Sequence, residues 1–348
     1  MLAVSAIIPH AGGVEILREC LESLRKTVDV DLEVVIVDNG SGENPDNWGI
    51  DQLANVQVLH YQCKLGFAAA CNRGVEASHG EFVFLFNNDA VCAPDSVKIL
   101  AESLAADSSL GAVQPKILSY FDSSLFDYSS ACGGLMDRYG IPFARGRIFD
   151  HVEEDHGQYD DRTEIFWGAG AALMIRRSLY LEAGGLEEPF FAHMEEIDFL
   201  WRLQLMGWRI MAIPEARVTH RGAVTIKSGS FQKLYCNHRN SLAMLVRNYS
   251  LASLVRYFPV RLLMDAAWAA YCLVRLDFVK FLAVSRAGIW IWLSLPYLIM
   301  GRRRVQRLRR VSDDSIRSRI YNGSIAFQYY GRGIRRAKDL KGSSESRL

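Results

Sequence analysis

The segment FLFNNDAV, residues 84–91, follows a run of large apolar side chains with three short polar ones and then turns apolar again. The apolar run is typical of a strand covered on both faces. The polar residues Asn87, Asn88 and Asp89 allow two interpretations. They are ordinary turn residues that close a strand, or they form a site in which Asp89 binds a divalent metal and the asparagines donate hydrogen bonds to phosphate or ribose.

The same pattern recurs through the first third of the chain, where short apolar runs alternate with amphipathic stretches. We predict strands at 3–9, 32–38, 56–61, 81–87 and 110–117, and helices at 14–28, 66–77 and 94–105. This alternation predicts a doubly wound α/β fold, in which helices wrap a mostly parallel sheet and ligands bind at the carboxyl ends of the strands. Those ends fall at Pro9, at Asp38 and at Asn87.

The chain becomes less regular after residue 118. Residues 119–162 are weakly periodic and rich in Gly, Asp, Ser and Tyr, so we expect an irregular or mobile excursion there. We predict regular secondary structure again at residues 165–175. The remaining predicted elements are a helix to Ala183, a helix at 193–207, and strands at 208–214 and 216–220.

Composition limits the class of protein. The chain has 348 residues, of which 50% are apolar and 23% charged, enough for one large α/β domain with an appendage or for two domains. Its seven scattered cysteines contain no CxxC pair, which indicates a reducing compartment and no structural zinc. The N-terminus lacks the basic and long apolar segments of a signal peptide, so we expect most of the protein in the cytoplasm.

Residues 251–300 are strongly apolar and aromatic. One spanning helix at 281–300 is possible by length, but a cytoplasmic basic flank would then place the rest of the protein outside the cell. A hairpin with 251–273, or two amphipathic helices lying in the interface, avoids this difficulty. Charged residues in the first helix favour the interfacial arrangement, and a buried helical layer is the alternative.

Six arginines in residues 301–310 make the basic character local, because the formal net charge of the chain is only +1. The cluster adjoins an apolar aromatic run and not a nucleic-acid-reading helix, so we expect anionic lipid and no nucleic acid as its partner. We divide the chain into two halves of one α/β domain, membrane-associating helices and a tail with a disordered end. Their bounds are 1–118, 119–249, 250–311 and 312–348.

The residues that could perform chemistry are acids and one histidine. No P-loop, no GxGxxG after the first strand and no GxSxG motif is present. On a helix Glu195 and Asp198 share a face, while Glu196 points about 100° away. Three neighbouring acids repel one another, and a cationic neighbour or a raised pKa would relieve this; a raised pKa suits a general base. A solvated helix start is the alternative, as is a structural role for His220.

Several motifs occur in one order over roughly residues 4–222. They are AIIPHAGGVEILRECLESL at 6–24, VIVDNGS at 35–41, LGFAAACNRG at 65–74, LFNND at 85–89, WGAGAALMIRRS at 167–178, GGLEEPFFAHMEEIDFLWRLQLMGW at 184–208 and VTHRG at 218–222. This set resembles the family 2 glycosyltransferases of the GT-A fold, and within them the bacterial rhamnosyltransferase-like branch.

The resemblance implies a donor site at the ends of the first strands. Asp38 would contact the nucleotide base, with Pro9 at the same rim, and Gly66 and Asn72 would line the nucleotide site. The sequence Asn87-Asn88-Asp89 takes the place of the DXD motif of the family, with Asn88 in the donor site.

The resemblance also implies the metal ligands and the base. Asp89 would hold the Mg²⁺ or Mn²⁺ that bridges the phosphates of a nucleoside-diphosphate sugar, and His220 would complete the metal shell. Glu196 would be the catalytic base, within an acidic group that includes Glu195 and Asp198. Two departures stand out: Asn87 replaces the first acid of DXD, and Glu196 replaces the usual Asp.

The implied reaction is inverting, because one base deprotonates an acceptor hydroxyl that attacks the anomeric carbon as the nucleoside diphosphate leaves. The first choice of donor is dTDP-rhamnose, and the acceptor would be a glycan or lipid-linked glycan of cell-surface polysaccharide synthesis. We expect the enzyme at the cytoplasmic side of the inner membrane. The alternatives are an inactive binding subunit with the same fold, suggested by Asn87, and a sugar nucleotidyltransferase, for which the first loop is a poor match.

Overall fold

The structure, a computed structural model, describes residues 1–222, 229–317 and 319–340. The first third alternates strands and helices as predicted. In chain order the elements are β1 (Leu2–His10), α1 (Val14–Arg25), β2 (Val30–Asn39), β3 (Val56–Tyr61), α2 (Phe67–Ala77), β4 (Phe82–Phe86), β5 (Ala90–Cys92), α3 (Ser96–Ala106) and β6 (Leu110–Ser119). Each helix turns an apolar side towards the sheet; α1, for example, buries Leu17, Leu21 and Leu24.

The second part of the chain contains shorter strands and then a series of helices. The strands and the first helices are β7 (Gly134–Met136), β8 (Pro142–Ala144), β9 (Arg147–Ile148), β10 (His151–Val152), β11 (Thr163–Glu164), β12 (Ala172–Arg176), α4 (Arg177–Glu182), α5 (Glu195–Leu205) and β13 (Arg209–His220). The helices that follow are α6 (Phe231–Asn248), α7 (Leu251–Val274), α8 (Phe278–Leu293), α9 (Leu295–Leu308) and α10 (Asp313–Arg317).

The main sheet is mixed and mostly parallel, as the sequence predicts. Its strand order within the described residues is β11-β13-β6-β12-β4-β1-β2-β3, and β5 pairs with β13. Strand β12 runs antiparallel to both neighbours, β4 and β6. Because β4, β1 and β2 are parallel neighbours, their carboxyl ends lie at one edge of the sheet, where ligands bind in such folds.

The prediction of an irregular or mobile segment at 119–162 is wrong. Strands β7 to β10 form a second, antiparallel sheet of four strands. Buried side chains hold this segment in place. Phe126 and Tyr159 pack together, and the buried Lys116 Nζ lies 2.7 Å from an oxygen of Asp155. Strands of two or three residues are too short to show periodicity, which explains why the sequence did not reveal them.

Two boundaries also differ from the prediction. The separate strands expected at 208–214 and 216–220 are one strand, β13, whose pairing with β6 shifts register between Ile213 and Arg217. Helix α5 begins at Glu195 and not at His193, because His193 and Met194 have φ angles of 69° and 72°, which lie outside the right-handed helical region.

The C-terminal helices pack on the sheet domain through α6. Helix α8 buries Ala283, Val284, Ala287 and Ile291, while Trp292 and other apolar residues on its far side are exposed. Among the described residues no single helix is long and apolar enough to cross a membrane. The pair α8 and α9, bent by 74° at its break, passes that test by length and composition alone.

The expected boundaries at 118 and 249 lie near the ends of β6 and α6, but one apolar core includes residues from Val4 to Ile320. The segment after α10 packs against the small sheet, with Ile325 and Ala337 buried beside Leu135. The predicted disordered end, residues 341–348, lies outside the described residues.

Four of the six arginines in the cluster bind other parts of the protein. Arg302 Nη1 donates to the carbonyl oxygens of Val246 and Tyr249 at 2.8 and 2.6 Å. Arg309 pairs with Asp313, Arg310 with Glu182, and Arg304 with Glu187. Only Arg303 and Arg307 of the six have no partner among the described residues, so the cluster contributes less charge to a lipid surface than the sequence suggests.

A buried carboxylate joins α9 to the rest of the fold. Glu187, with a 6% exposed side chain, accepts a hydrogen bond from Arg247 Nη2 at 2.5 Å and one from Tyr297 Oη at 2.7 Å. It also pairs with Arg304. Burial alone would raise the pKa of Glu187, but the charges of Arg247 and Arg304 outweigh it and lower this pKa to about 2.

The Glu187→Gln variant should lose about 3 kcal/mol of unfolding free energy, because it removes the nearer of the two carboxylates that face the buried Arg247 and leaves only Asp198 at 3.8 Å. Urea unfolding followed by tryptophan fluorescence measures this. Glu182→Gln is the matched control, since it removes the same charge from an exposed pair with Arg310, for which we expect at most about 1 kcal/mol. Equal losses in the two variants would refute a structural role for the Glu187 network.

Candidate active site

The residues predicted as a metal site meet at the edge of the sheet. Strand β5 pairs with β13 so that Ala90 lies opposite His220, which brings His220 beside Asp89. The Nε2 atom of His220 lies 3.1 Å from Asp89 Oδ1, and both side chains are less than 10% exposed. The amide nitrogen of Asn87 lies 3.3 Å from the same Nε2 atom. The strand pairing therefore assembles residues far apart in the sequence.

A second carboxylate, which the sequence did not indicate, holds the other side of His220. Asp127 Oδ1 lies 3.2 Å from His220 Nδ1 and accepts a 2.8 Å hydrogen bond from the Ser129 amide. Burial would lower the pKa of His220, but hydrogen bonds and charge from Asp127 and Asp89 raise it to about 10. In this state His220 is an imidazolium that neutralises two buried acids.

The same atoms fit a divalent cation. Neighbouring ligands of an octahedral ion with bonds of about 2.1 Å are roughly 3 Å apart, which matches the 3.1 Å between Asp89 Oδ1 and His220 Nε2. A cation would displace the proton on Nε2, since a histidine ligand must be neutral. The described residues contain no group of three or more His, Cys, Asp or Glu side chains that could hold a metal, so further ligands would have to come from a substrate.

Asn88 is held by residues at the end of β1. Its Nδ2 atom donates to His10 Nδ1 at 3.0 Å and to the Gly12 carbonyl at 3.3 Å. The other ring nitrogen of the buried His10 lies 2.8 Å from Glu43, whose second oxygen accepts a 2.7 Å hydrogen bond from the Gly13 amide. His10 and Glu43 are site residues that sequence reasoning missed, although His10 directly follows Pro9 at the predicted strand end.

Asp38 lies at the end of β2, on the same edge of the sheet as Pro9 and His10. Its Oδ1 accepts a 2.9 Å hydrogen bond from the Ser41 amide, and its Oδ2 lies 2.5 Å from His60 Nδ1. The carboxylate is fully buried. It fixes the turn after β2 and leaves the exposed ring of His60 as the group that a ligand would meet first.

Gly66 allows α2 to approach the loop that precedes α5. Its φ is 91°, and a Cβ atom there would lie 2.6 Å from the ring of Phe191. The next residue, Phe67, donates its amide to the Phe191 carbonyl at 2.9 Å. A glycine is needed at this position for both reasons, and the contact joins the donor half of the sheet to the acidic helix.

Asn72 faces the protein and not the open edge. Its Oδ1 accepts hydrogen bonds from Tyr180 Oη and the Leu186 amide at 2.7 and 2.8 Å. Its Nδ2 donates to the Leu186 carbonyl and to Glu188 at 2.9 and 3.2 Å. All four hydrogen-bonding capacities of the amide are thus used. In this arrangement Asn72 shapes the site by holding the turn after α4 and presents no free polar atom to a nucleotide.

Glu195 and Glu196, at the start of α5, are only partly satisfied. One oxygen of each carboxylate is buried with no hydrogen bond. Burial and the charge of Glu196 raise the pKa of Glu195 well above its usual range, and burial raises the pKa of Glu196 to about 7. A carboxylate with these properties can accept a proton near neutral pH.

The backbone before this acid pair is strained and is held from α6. Phe191, His193 and Met194 all have positive φ, which costs non-glycine residues energy. Asn240 on α6 offsets this strain by donating to the carbonyl oxygens of Phe190, Ala192 and His193 at 3.1, 3.1 and 2.7 Å. Strain supported in this way is common at functional sites.

Asp198, also predicted in the acidic group, is directed into the protein. Its carboxylate is fully buried, 3.0 Å from Arg202 Nε, and accepts a 2.7 Å hydrogen bond from Asn248 Nδ2. The predicted repulsion among the three acids is therefore relieved in two ways. Arg202 neutralises Asp198, and the glutamates have raised pKa values. Asp198 therefore positions the helix, and its carboxylate does not face the open edge as a free acid.

Known proteins share both the sequence pattern and the fold. The family model for glycosyl transferase family 2 matches residues 5–180, half of the chain. An N-acetylglucosaminyl-diphospho-decaprenol L-rhamnosyltransferase of Mycobacterium tuberculosis is 26% identical over 250 residues, 67% of this chain and 81% of that protein. A pre-mycofactocin glycosyltransferase of the same organism is 26% identical over 259 residues, 70% of this chain and 50% of that protein.

Solved structures agree on the fold. GalNAc-T7 with UDP, GalNAc and Mn²⁺ superposes with a TM-score of 0.57 at 15% identity, over 74% of this chain and 50% of that chain. The mannosyltransferase PcManGT from Pyrobaculum calidifontis, in complex with GDP-Man and Mn²⁺, gives a TM-score of 0.50 at 16% identity, over 88% of this chain and 84% of that chain. These findings confirm the predicted family and fold: the chain is a glycosyltransferase of glycosyl transferase family 2 with a GT-A fold.

Proposed function

We propose that the protein transfers a sugar from a nucleoside-diphosphate sugar to a hydroxyl of a lipid-linked glycan, with inversion at the anomeric carbon. The observation that carries this proposal is the facing pair Asp89 and His220, and the carboxylates of Glu195 and Glu196, each with one buried oxygen that lacks a hydrogen bond, support it. The first group suits a diphosphate-bound cation, and the second suits deprotonation of an acceptor.

Asp89 and His220 would hold a divalent cation, Mg²⁺ or Mn²⁺. When bound, such a cation stabilises the negative charge that develops on a departing diphosphate. The two solved neighbours described above contain Mn²⁺ with a nucleotide or a nucleotide sugar, which supports the choice. Because Asn87 stands in place of an acid, Asp89 is the single carboxylate of this motif. Asn88, which His10 holds by a hydrogen bond, would orient oxygens of the donor beside Asp89.

Glu196 is the proposed base. It removes the proton of the attacking hydroxyl as the bond from the anomeric carbon to the nucleoside diphosphate breaks, and a single displacement of this kind inverts the configuration. Its pKa near 7 is matched to this role, since a base works best near the operating pH. The buried Glu195 beside it has the more strongly raised pKa and would stay protonated, which leaves Glu196 as the member of the pair that ionises first.

The donor and acceptor follow from the relatives. The Mycobacterium tuberculosis relative is named as a transferase of L-rhamnose to N-acetylglucosaminyl-diphospho-decaprenol. We propose dTDP-rhamnose as the first donor to test, and a sugar carried on a lipid diphosphate as the acceptor class. The alternative is an inactive binding subunit, which would bind the donor and never transfer or release its sugar. Assay of the wild type with a panel of nucleotide sugars distinguishes this alternative from an active transferase.

We also propose that the apolar face of α7 and α8 lies in the cytoplasmic leaflet of the membrane. The two helices and the turn between them expose many large apolar side chains: Leu251, Val255, Leu263, Tyr271, Val274, Leu276, Phe278, Val279, Leu282, Ile289, Trp292 and Leu293. Such a contiguous apolar face marks an interaction surface. The exposed Arg303 and Arg307 on α9 add positive charge, which favours anionic lipid.

Glu196→Gln should reduce kcat by about 10²–10⁴-fold while donor affinity stays within about twofold, because the amide cannot accept the proton. Wild-type activity should rise with pH through about 7 and then level off, since the base acts in its deprotonated form. Transfer assays with a nucleotide-sugar panel across pH 5 to 9 measure both. Glu195→Gln is the comparison: a larger loss there than in Glu196→Gln would move the base to Glu195, and intact transfer in both would refute the assignment.

Asp89→Asn should weaken Mn²⁺ binding in the presence of a nucleoside diphosphate by at least about tenfold, because within the described part of the chain it removes the one carboxylate that faces His220 Nε2. Titration of free Mn²⁺ by electron paramagnetic resonance measures this directly. Asp122→Asn, an exposed turn residue bonded to Ser124, is the matched control. Equal Mn²⁺ binding by Asp89→Asn and wild type would exclude Asp89 as a ligand.

Replacing Leu282, Ile289 and Trp292 with Gln should release the protein from anionic phospholipid vesicles in a sedimentation assay, with at least a tenfold fall in the bound fraction. Point variants are preferable to deletion of the helices, because Arg302 and Arg304 anchor α9 in the fold. The control replaces Val28, Phe121 and Leu181, exposed apolar residues on other surfaces. Unchanged sedimentation of the α8 variant would contradict the membrane face.

A further inference from the structure

Two basic side chains flank one exposed ring beside the acidic helix. The guanidinium carbon of Arg147, on β9, lies 4.7 Å from the ring centre of Tyr128. The Nζ atom of Lys233, on α6, lies 5.6 Å from the same centre. Arg147 is only 8% exposed, whereas Tyr128 is 46% exposed. The three residues place two cations beside one aromatic ring, and we call them the Arg147–Lys233 pair with its Tyr128 ring.

Neither cation is paired with a carboxylate among the described residues. Arg147 donates to the carbonyl oxygens of Phe149 and Ser129 at 3.1 and 3.4 Å, and its buried Nε has no partner. Burial, followed by the charge of Arg147, lowers the pKa of Lys233. Placing two like charges together without a counter-ion costs free energy, and a bound anion would offset this cost.

Hydrogen bonds connect the pair to both halves of the proposed active site. Arg147 Nη2 donates to the Ser129 carbonyl, and the Ser129 amide donates to Asp127, which holds the ring of His220. On the other side, α6, which carries Lys233, donates hydrogen bonds from Asn240 to the backbone just before the acid pair. An anion bound here would therefore be close to both the base and the donor site, but outside the Asp89–His220 contact.

The helix that carries Lys233 also contacts α8, because the guanidinium carbon of Arg286 on α8 lies 4.9 Å from the ring centre of Tyr235 on α6. The turn between α7 and α8 and the first turn of α8 carry Leu276, Phe278 and Val279, each about half exposed or more. A molecule with an anionic head on the pair could extend an apolar chain towards this turn.

We propose that Arg147 and Lys233 bind the diphosphate of a lipid-linked sugar acceptor, with its sugar directed to Glu196 and its lipid along the turn between α7 and α8. This assignment rests on the proposed function. A diphosphate suits the pair because its charge neutralises both cations, and the Arg147 fork offers several donors to its oxygens. Ser230, the N-cap of α6, places the positive end of that helix on the same side as Lys233.

The nucleotide donor also carries a diphosphate, so the experiment measures both ligands on the whole protein. Geranyl diphosphate serves as the lipid probe, titrated in EDTA by tryptophan fluorescence so that a metal at Asp89 cannot capture it. The donor probe is dTDP with Mn²⁺. Lys233→Gln should weaken geranyl diphosphate binding at least tenfold and leave dTDP binding within twofold, and Lys233→Arg should restore at least half of the lost affinity.

Lys98→Gln is the matched control, because Lys98 is paired with Asp29 on another face and its variant should bind both probes as the wild type does. Equal loss of geranyl diphosphate binding in this control, or no loss in Lys233→Gln, overturns the proposal. Weakening of dTDP binding instead assigns the pair to the donor and overturns it too. These titrations do not require turnover: a wild type that binds geranyl diphosphate through Lys233 but transfers no sugar would refute the proposed function and keep the diphosphate site.

Discussion

The imidazole of His220 lies between the carboxylates of Asp89 and Asp127, and the arrangement of the active site depends on this contact. Asp89 follows the central strand β4, Asp127 belongs to the segment after β6, and His220 ends the last strand. One ring thus connects three parts of the chain that are far apart in sequence. Without the positive charge that His220 carries, two buried acids would face each other at a high electrostatic cost.

The C-terminal helices contribute to the catalytic domain as well as to its surface. Asn240 on α6 supports the strained residues before α5, and Arg247 on α6 joins Glu187 to the Asp198 region. Helix α9 is fixed to the same network through Arg304. The position of Glu195 and Glu196 therefore depends on helices whose other faces are apolar and exposed, which couples the reacting groups to the surface that we assign to the membrane.

Much of this could be predicted from the sequence, because the buried strands are continuous apolar runs whose polar ends lie at one edge of a parallel sheet. Asp89 and His220 were found in that way, with help from the family resemblance. Asp127 was not predicted from the sequence, since it belongs to a segment whose strands are too short to show periodicity. The roles of Asn72 and Asp198 depend on which neighbours fold against them. A sequence likewise does not show that Arg302, Arg304 and Arg309 are bonded to other parts of the protein.

The glycosyltransferase fold and family predict where the donor diphosphate binds. The most direct measurement is an anomalous difference map from crystals grown with Mn²⁺ and a nucleoside diphosphate. The account predicts a manganese peak within coordination distance of Asp89 Oδ1 and His220 Nε2, with the diphosphate on its far side and the base of the nucleotide near Asp38. A manganese peak elsewhere, or a nucleotide bound away from the carboxyl ends of β1, β2 and β4, would contradict it.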